Sequence, residues 1–358
     1  MKRAISVLLA LVLLLCAQGV IPPVKAAVTS SGQCGDDVWW EYDAETDTTR
    51  VFGTGPMWDN GLMGMNPSSG KVKLPNCSHI VFEDGITSIG NFVLWKHSIQ
   101  TVSLPDSLEA IGIGSFANCA ELRAVILPNG LEAIGSCSFA DCVELREIIL
   151  PETVHTIEGG AFFNTGLTSI FIPQNVVFIG GSAFWTPDME EIQVDPQNEQ
   201  FASLDGVLFR KDMKTLIAYP IGSRSKHYTV PHSVETIGYG AFRMAVPYSP
   251  NFDLFPELRT SQKHCLETVS FPDSLRTVGD SAFYYQRLLR DLRLPRSIES
   301  LGSESFCDVK SFSCIEIPAT VNKLRSSTFE LYEPLHEVYF LGTPPLKNFS
   351  FNYFYYPR

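Results

Sequence analysis

Eight prolines head the same pattern, and that pattern leaves the chain little choice of fold. From Pro128, apolar residues follow at offsets of three and six (Leu131, Ile134) and a phenylalanine at eleven (Phe139). The same offsets recur from Pro105, Pro151, Pro173, Pro231, Pro272, Pro295 and Pro318, ending at Phe116, Phe162, Phe184, Phe242, Phe283, Phe306 and Phe329. Consecutive regular copies lie 22 or 23 residues apart. A period of that length is one turn of a solenoid, since a single copy cannot bury its own apolar side chains and neighbours must do it.

Each copy has a strand-like part. Leu122-x-x-Val125-x-Leu127 alternates apolar and variable positions, the period of a half-buried strand, and stacking turns predicts a continuous parallel sheet. Proline has no N–H for the ladder, so its column marks the corner where pairing stops. The glycine after Ile111, Ile134, Ile179 and Ile237 suits a tight second corner, although Glu158 and Arg325 hold that place in two turns, so a positive φ is not obligatory there. The phenylalanine column fills the middle. The fold class expected is mostly β, a solenoid of about eleven such turns.

The residues also carry a resemblance. The pattern I-P-x-x-[VL]-x-x-I-G-x-x-[AS]-F-x-x-C-x-x-L, closely matched by Leu127 to Leu145, resembles the BspA-like (treponemal-type) leucine-rich repeats of bacterial surface and secreted proteins. The likeness covers most of Phe82 to Pro345. It implies a leucine-rich-repeat solenoid and, for function, a binding role such as adhesion. The better-known repeat signature has an asparagine ladder; here Gly130 stands near that place.

Along the chain, Lys2 and Arg3 precede an apolar run from Ala4 to Ala17, then Pro22-Pro23 and Val24-Lys25-Ala26. This reads as a secretory signal peptide over 1–26, too short to span a membrane comfortably. A lipid on Cys16 is disfavoured, because Leu15 stands where that cleavage wants a small residue. Residues 27–76 lack the repeat and read as strand, turn and strand, a small β cap over the open end of the coil. Trp39, Trp40 and Trp58 are its ligand-binding alternative. Residues 77–358 form the solenoid, with a hairpin-like insertion near 197–226 and a proline- and aromatic-rich one near 244–264. The second is a candidate ligand contact against the plainer reading of a packed excursion. No second long apolar segment follows, so no transmembrane segment is expected after signal removal. Secretion or the cell surface is the expected location.

Little in the sequence carries reaction chemistry. Nine cysteines include no C-x-x-C, and the seven histidines are scattered without H-E-x-x-H. Cys119 and Cys142 recur at one place and read as small inward apolar groups. A Cys34–Cys77 or Cys307–Cys314 disulfide stays open in a secreted chain. Gly112-Ile113-Gly114 lacks the third glycine of a phosphate loop, and no G-x-S-x-G elbow is complete. Neither enzyme nor cofactor nor metal is expected. The formal charge of −12 becomes −15 on losing Lys2, Arg3 and Lys25, which argues against nucleic acid as a partner.

The partner class that remains is an extracellular protein or glycan. The alternative is a scaffolding component of the cell envelope with no dedicated ligand. By strand alternation Val125 and Leu127 point in, while Ala124 and Ile126 point out. The Ile126 column continues as Ile149 and Phe171, and the neighbouring column carries Glu147 and Glu191. An apolar strip with an acidic rim is the predicted ligand-binding surface. The competing reading is that β-branched residues merely suit strands.

Overall fold

The computed structural model describes residues 28–61, 71–244, 266–290, 292–307, 309, 314–324, 327–329 and 337–342. The inferred signal peptide, most of the second insertion, Cys265 and the tail containing Asn348 lie outside the described residues. The fold is an all-β solenoid of about ten turns, with no helix among the described residues. It divides into an N-terminal unit, residues 1–167, and a C-terminal unit, residues 168–358.

The N-terminal unit opens with β1 (Val28–Gln33), β2 (Gly35–Asp43) and β3 (Thr48–Met57), joined antiparallel in that order. β3 then starts two ladders. Its first half pairs in parallel with β4 (His79–Phe82) and its second half with β5 (Ile86–Ile89). One ladder runs on through β6 (Thr101–Ser103), β8 (Ala124–Ile126) and β10 (Glu147–Ile149). The other runs through β7 (Ala110–Ile111), β9 (Ala133–Ile134) and β11 (Thr156–Ile157). Asp47 ties this opening module to the first coil. Its carboxylate accepts from Tyr42 Oη and from both the amide and hydroxyl of Ser78.

The stretch ending at Ile134, just before the glycine read as a corner, is therefore a short strand that the sequence reading did not assign. Two residues cannot display an alternation, so the pattern hid it. The glycine after it is needed for space. Gly112, Gly135, Gly238, Gly279 and Gly302 are not among the positive-φ residues. A Cβ on Gly135 would stand 2.6 Å from Ile111 O, and one on Gly302 2.4 Å from Asp280 N, because the chain crosses the preceding coil there at close range.

Positive φ falls two residues later, at Phe92, Gly114, Cys137, Gly160, Ser182, Gly240, Ser281 and Glu304, and again around Asn118, Asp141 and Asn164. These bends build a third set of coil-to-coil bonds without strand geometry. Gly114, Phe116 and Asn118 donate their amides to the carbonyls of Ser136, Ser138 and Ala140 at 2.7–2.9 Å. In the C-terminal unit Ser281, Phe283 and Tyr285 do the same to Ser303, Ser305 and Cys307. Asn and Asp tolerate the left-handed region better than other non-glycine residues, which suits the second bend.

Between these three sides lies the core. Phe116, Phe139 and Phe162 stack at centroid separations of 5.2 and 5.7 Å, and Phe242, Phe283, Phe306 and Phe329 at 4.7, 5.3 and 5.7 Å, all nearly parallel. Cys119 and Cys142 are buried and donate S–H to Leu94 O and Phe116 O, each at 3.1 Å. Burial pushes the Cys119 thiol up to about 12, so it stays protonated and unreactive.

In the C-terminal unit, β12 (Ser169–Ile172), β13 (Phe178–Ile179) and β14 (Glu191–Val194) precede the first insertion, and β12 pairs with β14. The insertion is a three-stranded meander of β15 (Phe201–Leu204), β16 (Val207–Arg210) and β17 (Thr215–Ala218). Its last strand joins the ladder of two-residue strands β19 (Thr236–Ile237), β21 (Thr277–Val278), β22 (Ser300–Leu301) and β24 (Lys323–Leu324). The facing side has two pairs, β18 (His227–Thr229) with β20 (Thr268–Ser270), and β23 (Cys314–Ile317) with β25 (Glu337–Phe340). Among the described residues, strand pairing on this side forms separate ladders where the sequence predicts a continuous one. Tyr219, on the inserted coil, takes the core place of a phenylalanine and lies 5.0 Å from Phe242.

A side-chain ladder absent from the sequence reading sits two residues after the prolines. Ser107, Thr153, Ser233, Ser274, Ser297 and Thr320 each donate a hydroxyl to a carbonyl of the preceding coil at 2.7–3.0 Å. Hydroxyls do the work expected of asparagine. Gly130 interrupts the series because a Cβ there would meet Asp106 O at 2.4 Å.

Candidate functional site

The predicted strip is built on the long-strand ladder. In the N-terminal unit, β10 and β8 register Ile149 against Ile126 and Glu147 against Ala124. Ile148 and Val125 between them are buried. Ile149 is 61% exposed, the most open of the large apolar side chains described, while Ile126 is half-buried and Glu147 exposed. In the C-terminal unit, β12 and β14 register Phe171 against Gln193 and Ser169 against Glu191. Phe171 is 45% exposed, and Glu191 accepts a hydrogen bond from Gln193. All five residues lie on outward positions, as alternation requires.

Why these side chains stay out is a matter of register. Strand period is two, so committing Val125, Ile148, Ile170 and Ile192 to the core puts their neighbours on the opposite face. Burying Ile149 would cost the burial of Ile148. The next rungs along the same outward column are polar, with Ser103 before Ile126 and Gln193 after Phe171 in their own units.

Other candidate residues resolve more plainly. The amides of Gly112, Ile113 and Gly114 are bonded to Ile89 O, Asn91 Oδ1 and Ser136 O, which leaves no cradle for a phosphate. Asn76 bonds the amide and hydroxyl of Ser98, and Ser78 is held by Asp47. Trp40 is buried, Trp39 is exposed, and Trp58 donates its indole N–H to Asp36. His227 bonds Thr268 across one rung and His79 bonds Thr101 across another. Half-buried His97 bonds Leu74 O, and desolvation lowers its affinity for a proton. Among the described residues no group of three His, Cys, Asp or Glu could hold a metal ion.

The Cys34–Cys77 disulfide left open by the sequence is not formed. Trp58 N bonds Cys34 O at one end of β3, whereas Cys77 lies by Thr49 at the other. That is roughly 30 Å of extended chain at ~3.3 Å per residue, and a disulfide needs Cα atoms within about 7 Å.

The sequence reading missed two features. Asp141 is sandwiched between Asn118 and Asn164, whose amides donate to its two oxygens at 3.4 and 2.8 Å. Burial raises the Asp141 carboxyl above its ordinary value, partly offset by Asn164. These residues share one phase, two after Phe116, Phe139 and Phe162, and that alignment was the available signal. The second is an aromatic cluster in the C-terminal unit around Arg243, which lies 4.4 Å from the ring centres of both Trp185 and Tyr284.

The model of the BspA type leucine rich repeat region matches residues 73–193 and 259–357, in six copies. No curated protein matches the chain. Solved structures resemble it in fold. A leucine rich cell surface protein from Faecalibacterium prausnitzii A2-165 is 20% identical with a TM-score of 0.60, over 88% of this chain and 96% of that one. The pneumococcal vaccine antigen PcpA is 19% identical with a TM-score of 0.64, over 88% and 89%. A leucine-rich repeat protein from Eubacterium ventriosum ATCC 27560 is 19% identical with a TM-score of 0.62, over 87% and 85%.

Proposed function

Because this chain belongs to the BspA-type leucine-rich repeat family, we propose that it is a secreted or cell-surface protein that holds another macromolecule on the outward face of its long-strand ladder. Proteins of this repeat type serve as protein-interaction modules. The observation that carries the finer reading is Ile149, 61% exposed beside Ile126 and rimmed by Glu147. Exposing an isoleucine to this degree gains nothing for the fold, while an apolar centre with a charged rim is the make-up of a protein-binding surface. Phe171 with Glu191 repeats the combination in the C-terminal unit.

The readout is binding of the purified chain to immobilised host matrix proteins and mucins. Ile149→Asp should leave thermal unfolding unchanged, because the side chain is already in water, and should weaken capture by about tenfold or more, as for a central apolar contact. Unchanged capture with intact fold rejects the surface and favours a scaffolding role. Secretion has its own check, since the extracellular chain should begin at Ala27. A lipid-bearing Cys16 at the N-terminus would contradict that reading.

A further inference from the structure

A second surface, in the C-terminal unit, carries an arginine with no acidic partner among the described residues. The position after the core phenylalanine holds Ala117, Ala140 and Phe163 in the N-terminal unit. In the C-terminal unit the same position holds Trp185, Arg243 and Tyr284, and the guanidinium of Arg243 lies 4.4 Å from both ring centres. Tyr239 stacks on Trp185 at 5.6 Å and is 51% exposed.

The cluster is built into the backbone. A Cβ on Gly181 would come within 2.8 Å of Tyr239 Cδ1, and one on Gly240 within 1.7 Å of Trp185 Cζ2. Two coils have given up side chains so that these two rings can lie where they do. Arg243 then differs from its neighbours. Lys214, Arg224, Lys226, Arg276 and Arg290 each face a glutamate, whereas Arg243 has no salt bridge among the described residues. Its Nε is buried and has no hydrogen-bond acceptor among the described residues. Ring faces satisfy the flat sides of a guanidinium, but not the in-plane N–H groups along its edge. A partner can therefore reach only the outer, Nη edge of this half-buried side chain.

We propose that Arg243 receives a single carboxylate from a protein partner, an Asp or Glu side chain beside an apolar residue that packs on Tyr239. A carboxylate matches the guanidinium edge in a bidentate pair. Stacking between Trp185 and Tyr284 holds the fork in one orientation before the partner arrives. Two features favour a protein segment over an acidic polysaccharide. The anchors are Trp, Tyr and Arg, the residue types enriched at protein hot spots. The chain is also net negative, −12, which disfavours a partner with repeated negative charge.

The full chain, labelled with nitrogen-15, is titrated with a capped Leu-Glu dipeptide while the Arg243 Nε–H resonance is followed, assigned by its loss in Arg243→Lys. The resonance should move saturably with Leu-Glu and far less with Leu-Gln. Arg243→Lys should weaken binding about tenfold or more, and Tyr239→Ala severalfold. No movement, or equal movement with Leu-Gln, overturns the proposal. Tighter binding of glucuronate than of Leu-Glu overturns the assignment to a protein partner. The wild-type titration needs no variant, so it stands even if Arg243→Lys unfolds.

Discussion

The two units use one coil and join its turns by different side-chain chemistry. In the N-terminal unit, coils follow one another at 22 or 23 residues, and side-chain hydrogen bonds link them: the Asn118–Asp141–Asn164 ladder and the thiols of Cys119 and Cys142. In the C-terminal unit, charges alternate from coil to coil. Lys214, Glu235, Arg276 and Glu299 occupy one column and Lys226, Glu267 and Arg290 another. The first of those columns reads Glu109, Glu132, His155 in the N-terminal unit, so the coil tolerates like charges there. Backbone bonds on three sides set the register in both units. The side chains at these columns are therefore at liberty to differ, and the exposed strip and the arginine cluster occupy that liberty.

The largest expected effect tests what the units share. Phe162→Ala and Phe283→Ala each remove a buried ring and should each cost about 3–5 kcal/mol, measured by denaturant unfolding. A loss below about 1 kcal/mol at either place would mean that the stack is core in only one unit.

Next comes the coil with glycine in place of the hydroxyl. Gly130→Ser should destabilise by about 1–3 kcal/mol through the clash with Asp106 O, although serine is the residue of choice at that position elsewhere. Ser297→Gly, in the C-terminal unit, should lose about 1 kcal/mol with its bond to Leu275 O. A neutral Gly130→Ser would show that the close approach is not real.

Asp141 gives a smaller effect with a sign that depends on pH. Its carboxyl is raised in the folded state by burial. Below the unfolded value of about 3.9 both states are protonated and nothing is lost. As pH rises past it the unfolded chain ionises first, and stability falls until folded Asp141 ionises as well. Asp141→Asn escapes that loss and keeps the left-handed bend, so it should gain up to about 1 kcal/mol at neutral pH and lose the advantage below about pH 4. An equal shift at both pH values would remove burial as the cause.

Smallest is the response to salt. Glu267 sits between Lys226 and Arg290, and hydrogen bonding to Lys226 foremost holds its carboxyl below the ordinary range. Exposed pairs contribute little to stability and are screened by salt. Glu267→Gln should therefore produce a slight loss that disappears in about 1 M salt. Equal salt sensitivity around Asp141 would erase the distinction between the units.

What was legible in the sequence follows the same division. The phenylalanine stack and inward Val125 and Ile148 could be read because copies in phase repeat the same demand many times. Outward Ile149 and Phe171 followed from alternation alone. The third set of backbone bonds could not be read, since no side chain announces an amide's direction. The glycine column was visible but its reason was not, because φ and close approach leave the same residue behind. Ser107, Thr153 and Ser297 stood in register but escaped a search for asparagine. Trp185 and Arg243 were hidden by the insertion between Pro173 and Pro231, which breaks the phase where the two residues meet.

The central claim is a coil bonded on three sides, and residue-resolved amide hydrogen exchange tests it most directly. The amides of Phe116, Asn118, Phe139 and Asp141 in the N-terminal unit, and of Phe242 and Phe283 in the C-terminal unit, lie outside every strand yet donate to the next coil. They should exchange as slowly as those of Val125 and Ile148 on the strand ladder. Exchange at the rate of an unprotected peptide, with the strands still slow, would contradict the account.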